Sequence, residues 1–269
     1  MYQSVGFIGT GNMGSAIAKA VSASGLAAEI LLANRTPTKA EELAAQLKGA
    51  RLATNEEVAA KCDLIFLAVK PQMMTGMLEK IAPVLAQRKD SFVLSTMAAG
   101  LTCEDIQRLS GVQAPVIRIM PNTPAAIGAG VVQYCSKDAD QQQVEDFVSL
   151  IAPAGLVDPI AENLIDAASG VSGCGPAFAY MFVEALADGG VACGLPRDKA
   201  MAYAAQMVSG AAQMVLESGK HPGALKDAGC SPGGTTIQGV RTLEEHGFRA
   251  AAMDAVIAAY EKTLSLAKK

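Results

Sequence analysis

The chain has 269 residues, of which 51% are hydrophobic and 18% charged, with a net charge of −4 and no block of basic residues. That length allows two domains of about 100–200 residues each. The apolar content excludes disorder for the chain as a whole, and the charge excludes generic nucleic-acid binding by counterion release. Long uncharged stretches such as 167–183 and 200–216 are short for a membrane span, and glycines and Pro176 interrupt the first, so no transmembrane helix is expected. Met1-Tyr2-Gln3-Ser4 carries no basic residue, which argues against a secretory signal. The expectation is a cytoplasmic protein with neither nucleic acid nor membrane as partner.

Six cysteines contain no CxxC pair, and His221 and His246 are the only histidines. No metal site is expected from so poor a supply of ligands, and the thiols read as reduced, partly buried small apolar residues. The absence of Trp and 4% aromatics exclude a stacking surface for single-stranded nucleic acid.

Along the chain, Val5-Gly6-Phe7-Ile8, Ile30-Leu31-Leu32-Ala33, the run 64–69, Phe92-Val93-Leu94-Ser95 and the run 116–120 read as strands. Apolar runs without alternation suit a sheet covered on both faces, and intervening helices at 40–47, 56–60 with Asn55 as N-cap, and 73–85 predict a doubly wound parallel sheet. From Asn163 onward the strand signal vanishes, and helices are expected at 164–168, 176–193, 196–217, 237–245 and 248–266. The helix at 196–217 holds the uncharged run 200–216, and that at 176–193 has only Glu184 and Asp188 as charges, which leaves little polar face, so both must be buried. About 105 residues cannot easily enclose them, which predicts a partner chain. The reading is therefore α/β, with a dinucleotide-binding domain at 1–160 and a helical domain at 161–269.

Gly9-Thr10-Gly11-Asn12-Met13-Gly14 follows the first strand and opens a helix at 15–24. In that context G-x-G-x-x-G lets the turn tighten and the backbone approach a pyrophosphate at a helix N-terminus. An acidic residue ending the second strand would bond the ribose 2′-hydroxyl, but this chain has Asn34-Arg35-Thr36. An amide, a guanidinium and a hydroxyl accept a 2′-phosphate, favouring NADP(H) over NAD(H). Val69-Lys70-Pro71 ends a later strand on the ligand-collecting edge; Lys70 is either a surface lysine or a cofactor or substrate contact.

These motifs continue into Arg118-Ile119-Met120-Pro121-Asn122-Thr123-Pro124, Gly173-Cys174-Gly175-Pro176-Ala177-Phe178, His221-Pro222-Gly223-Ala224-Leu225-Lys226-Asp227 and Ser231-Pro232-Gly233-Gly234-Thr235-Thr236. With them the sequence resembles the pyrroline-5-carboxylate reductase family over essentially its whole length. The resemblance implies reduction of the cyclic imine L-1-pyrroline-5-carboxylate to L-proline by NAD(P)H. It also implies a Rossmann-type N-terminal domain and an all-α C-terminal dimerisation domain that completes each active site in a homodimer. The implied cofactor-binding set is Ile8, Gly9, Thr10, Gly11, Asn12, Met13, Gly14, Asn34, Arg35, Thr36, Asn55, Val69, Lys70, Pro71 and Ala98. The implied substrate-binding set is Glu162, Ser231, Gly233, Gly234, Thr235 and Thr236, with Thr236 at the ring nitrogen as the catalytic residue and Ser231 and Thr235 at the carboxylate.

Independently of that likeness, two glycines and two threonines ahead of a helix present free N–H groups suited to a carboxylate; the alternative is an ordinary Ser or Thr N-cap. Hydride transfer to a protonated imine needs neither nucleophile nor metal. His221 reads as a turn residue and His246 as a capping or solvated one. Glu162 either orients the imine or is a helix-start carboxylate. Some family members carry an acid where this chain has Gly219, so a catalytic acid is absent there. Two alternatives stand beside this reading. One is a β-hydroxyacid-type dehydrogenase, whose expected lysine is missing between Gly170 and Val183; the other is a non-catalytic NADP-binding regulatory protein.

Overall fold

The structure is a computed structural model describing residues 1–267. Two compact units emerge, Met1–Cys174 with Ala259–Lys269, and Gly175–Ala258. The first contains β1 (Ser4–Ile8), α1 (Asn12–Ser24), β2 (Glu29–Ala33), α2 (Pro37–Ala44), β3 (Ala50–Leu52), α3 (Asn55–Lys61), β4 (Leu64–Leu67) and α4 (Pro71–Gln87). These are followed by β5 (Val93–Thr96), α5 (Cys103–Ser110), β6 (Val116–Pro121), β7 (Gly130–Lys137), α6 (Gln141–Ile151), β8 (Gly155–Pro159) and α7 (Ile165–Ser172). After them come α8 (Gly175–Ala192), α9 (Arg197–Ser218), α10 (Pro222–Ala228), α11 (Thr235–Glu245) and α12 (Phe248–Ala267).

The eight strands form one sheet in the order β3-β2-β1-β4-β5-β6-β7-β8. All neighbours are parallel except β6 and β7. The doubly wound parallel sheet expected from the sequence is present with one antiparallel pair: a short connection through the 3-10 turn Thr123–Ile127 returns the chain beside β6, whereas a parallel neighbour needs a longer crossover. The sequence reading also missed β3, β7 and β8. β3 has only three residues, and β8 leaves Leu156, Asp158 and Pro159 exposed, so neither gives a strong apolar run.

Strand residues of opposite parity enter two separate cores. Val5, Phe7, Leu64 and Phe66 join one, while Ile8, Ile65 and Leu67 join the other, as the pleat requires. Phe7 and Phe66 stack at 4.5 Å between ring centroids, and Phe147 from α6 tilts against Phe66 at 5.8 Å. One charged side chain interrupts this apolar interior. Arg118 on β6 is 2% exposed, and its Nη2 donates to Asp166 Oδ1 on α7 at 2.6 Å.

In the second unit Ala187, Ala200 and Ala204 form a small core between α8 and α9. Met181, Tyr203, Met207, Met214 and Leu216 are exposed on these helices, so a single chain leaves their apolar faces uncovered. Among the described residues no helix is long and apolar enough to cross a membrane. The six cysteines are free thiols, and contrary to the expectation of burial Cys193 is exposed. Burial pushes the Cys62 thiol up to about 12.

Removing one partner of a buried ion pair strands the other charge. Arg118→Met should therefore lower stability by about 3–5 kcal/mol, and Arg118→Met with Asp166→Leu should recover most of that loss in denaturant midpoints.

Candidate functional site

Strand registers bring four loops side by side, since Ile8 pairs with Ala33 and with Leu67, and Leu67 pairs with Thr96. The loops after β1, β2, β4 and β5 thus share the carboxyl edge of the sheet, where the strand order reverses around β1 and ligands of such folds bind. Ile8 and Ala98 are 1% exposed there. The Ala98 N–H donates to Thr96 Oγ1 at 3.3 Å.

Three glycines shape the first loop in different ways. Gly9 has φ +108°, and a Cβ there would lie 2.5 Å from the Ala68 carbonyl oxygen, so only glycine permits this turn to press on β4. At Gly14 a Cβ would meet the Gly9 carbonyl oxygen at 2.3 Å. Gly11 faces open space: no atom lies within 4 Å of where its Cβ would be. As N-cap of α1 it offers no side-chain bond, and the first turn, which includes Asn12 and Met13, has no acidic residue. The leading N–H groups therefore remain available to an anion. Thr10 Oγ1 is buried without a partner. A dinucleotide phosphate fits this donor set and the gap over Gly11.

The second loop is tied to the first. Asn34 Oδ1 accepts from the Thr10 N–H at 3.2 Å, and its Nδ2 donates to the Thr36 carbonyl at 3.0 Å. Asn34 thereby joins the two loops, with the second hydrogen of its amide left over. Arg35 and Thr36 are exposed, and Thr36 is the N-cap of α2 with no side-chain bond of its own. Val69 is half-buried, Lys70 is the exposed N-cap of α4, and Pro71 opens that helix. The strand itself already stops at Leu67. Asn55 is the first residue of α3 rather than its cap; Thr54 caps the helix, its hydroxyl accepting from the Glu57 N–H at 3.1 Å. The sequence reading missed Ser15, whose hydroxyl donates to the Thr10 carbonyl at 2.9 Å. Its signal was a hydroxyl residue directly after the third glycine.

The second candidate loop lies in the other unit. Its backbone makes a tight turn in which the Gly234 N–H donates to the Ser231 carbonyl at 3.0 Å. Gly233 has φ +71°, the region glycine occupies at the third position of a Pro-Gly turn. α11 begins two residues earlier than expected, with Gly234 as N-cap, no side-chain cap bond and no acidic residue in its first turn. A Ser or Thr cap is therefore not what starts this helix. Ser231, Thr235 and Thr236 are exposed, leaving their hydroxyls beside free N–H groups. A Cβ on Gly234 would sit 2.4 Å from Ser231 Oγ, so the missing side chain also makes room for that hydroxyl.

His221 caps α10, Nδ1 accepting from the Gly223 N–H at 3.0 Å, and His246 Nδ1 lies 2.8 Å from the Thr242 carbonyl at the end of α11. Gly219 closes α9 at φ +61°. Glu162 starts the 3-10 turn Glu162–Leu164, and its Oε1 accepts from the Cys103 N–H at 2.7 Å and lies 3.8 Å from Arg118 Nη1. Both contacts are to other elements, and the Glu162–Leu164 turn has no side-chain cap bond. The neighbouring Cys135 thiol is held below the ordinary thiol range by its hydrogen bond with Cys103 and by the Arg118 charge, whereas that same bond and burial push Cys103 up.

Residues 4–99 match a family model described as NADP oxidoreductase, coenzyme F420-dependent, and residues 162–266 match pyrroline-5-carboxylate reductase dimerisation. A pyrroline-5-carboxylate reductase of Escherichia coli is 44% identical over 271 residues, covering 100% of both chains. The chain belongs to the pyrroline-5-carboxylate reductase family. The reductase of Pisum sativum is 41% identical, covering 97% of this chain and 95% of its own. The Plasmodium falciparum pyrroline carboxylate reductase, solved with NADP bound, superposes with a TM-score of 0.87 at 31% identity, covering 98% of each chain. A ketol-acid reductoisomerase at 13% identity and TM-score 0.64 shares the fold. In this family member both candidate loops combine an uncapped helix start with glycine, one in each unit.

Gly11→Ala should leave thermal stability nearly unchanged while weakening dinucleotide binding about tenfold or more, because the added methyl meets only the ligand. Gly14→Ala should destabilise the chain itself; equal loss of stability in both variants would sink this division of roles.

Proposed function

We propose that the chain is an NAD(P)H-dependent pyrroline-5-carboxylate reductase that forms L-proline, the final step of proline biosynthesis, and that it works in the cytoplasm as a homodimer. The observation that carries this reading is the uncapped start of α11 behind Ser231-Pro232-Gly233-Gly234, with three hydroxyls, Ser231, Thr235 and Thr236, beside free N–H groups, in a chain with full-length reductase relatives. Residues 1–160 are the cofactor domain and 161–269 the substrate and dimerisation domain. The dimerisation match and the uncovered apolar faces of α8 and α9 support self-association.

The cofactor residues are Ile8 to Gly14, Arg35, Thr36, Asn55, Val69, Lys70, Pro71 and Ala98, with Asn34 holding two of their loops together. Arg35 and the Thr36 hydroxyl take the 2′-phosphate, so NADPH is preferred. When bound, NADPH supplies the hydride that reduces C5 of the imine. The protein's part is positioning and polar contact. The N–H groups opening α11, with the Ser231 and Thr235 hydroxyls, hold the substrate carboxylate. Thr236 Oγ1 accepts from the protonated ring nitrogen and keeps the imine in its electrophilic form. Gly219 supplies no acid, and both histidines face helix ends, so proton delivery is left to solvent.

With NADPH and pyrroline-5-carboxylate, near-ultraviolet absorbance should fall; a flat trace would favour a binding protein. Thr236→Ala should lower kcat/KM about ten- to a hundredfold, the worth of one hydrogen bond to a charged group, with NADPH affinity unchanged and Thr236→Ser recovering most activity. Full activity in Thr236→Ala would reduce Thr236 to a helix-start residue. Arg35→Ala should weaken NADPH about ten- to a hundredfold and leave NADH nearly untouched; equal loss for both would remove the 2′-phosphate role.

A further inference from the structure

Cys103, Cys135 and Glu162 meet from three separate stretches of the first unit, and the reductase reading does not use them as a set. Cys103 opens α5 and is 1% exposed, Cys135 is half-buried on β7, and Glu162 begins its 3-10 turn. The two sulfurs stand 3.9 Å apart, and one ligand atom from each of the three residues lies within 4.8 Å of the others. Two thiolates held tetrahedrally by zinc at about 2.3 Å are separated by about 3.8 Å. The sulfurs therefore already have the spacing such an ion imposes. A disulfide, at about 2.05 Å, would require them to close by nearly 2 Å.

The surroundings suit the same occupant. The Cys103 N–H donates to Glu162 Oε1, an outer bond of the kind that fixes a metal-binding carboxylate. Two thiolates, one carboxylate and a divalent cation sum to a single negative charge, so the Arg118 guanidinium beside Glu162 attracts the loaded set rather than repelling it. Asp166 occupies Arg118 Nη2, while Arg118 Nε is buried without a partner.

We infer that Cys103, Cys135 and Glu162 form a structural site for one thiophilic divalent cation of the zinc type, with solvent as fourth ligand. Binding exchanges two thiol protons for two metal–sulfur bonds, with no change in oxidation state. It would tie α5, β7 and the Glu162–Leu164 turn at one point. Sequence spacing conceals the site, because the cysteines are 32 residues apart and Cys103 and Glu162 are 59 apart.

Full-length, chelator-treated protein titrated with cobalt(II) should develop thiolate-to-cobalt absorption saturating at one equivalent per chain. Cys135→Ser should abolish it and Cys193→Ser should retain it, with circular dichroism verifying both folds. In the unaltered chain, zinc should slow alkylation of the half-buried Cys135 about tenfold or more, as ligation removes the thiolate nucleophile. Protection should not extend to Cys193 or Cys230. No stoichiometric cobalt absorption, absorption surviving Cys135→Ser, or alkylation of Cys135 unaffected by zinc would each overturn the site.

Discussion

Covering a sheet on both faces forces its strands to be apolar at both parities, and the rest of the first unit follows from that constraint. Leu64 to Leu67 are all buried. A strand of this kind has no place for reactive side chains along its length, so chemistry is displaced to the loops at its end. Because neighbouring strands end in register, the displaced loops arrive together. The exception is Arg118, whose charge is admitted to the interior only through Asp166 and Glu162.

Both candidate loops solve the anion problem with backbone. Gly11 and Gly234 each occupy an N-cap that Ser or Asp would usually fill, and each leaves the first turn without an acidic residue. A capping side chain would satisfy the very N–H groups a ligand needs. The stabilisation a cap would contribute is thus given up at these two helix starts, while α6, where no ligand is proposed, carries a side-chain cap.

Periodicity and glycine spacing made β1, β2, β4, the first loop and the long C-terminal helices legible in the sequence. Local pattern carries all of these. It failed at β7 and β8, whose polar or exposed residues give no continuous apolar run, and at the helix starts, where Thr54 rather than Asn55 caps α3. Asn34 was legible as a polar residue at the right strand end but not as a brace, because its role depends on Thr10 and Thr36 adopting one geometry in space. The Arg118, Asp166 and Glu162 cluster was invisible for the same reason: the sheet, not the chain, brings it together.

The brace at Asn34 has an evolutionary consequence. An aspartate there would be the simplest route to a preference for the unphosphorylated dinucleotide, since it would meet the ribose hydroxyl and repel a 2′-phosphate. It would keep the acceptor for the Thr10 N–H but lose the donor to the Thr36 carbonyl, setting two oxygens against each other where the amide now bridges. Coenzyme choice is therefore entrenched: the position that would reverse it also keeps the pyrophosphate loop and the ribose-side loop in step, and a lineage changing one must first find another way to hold the other.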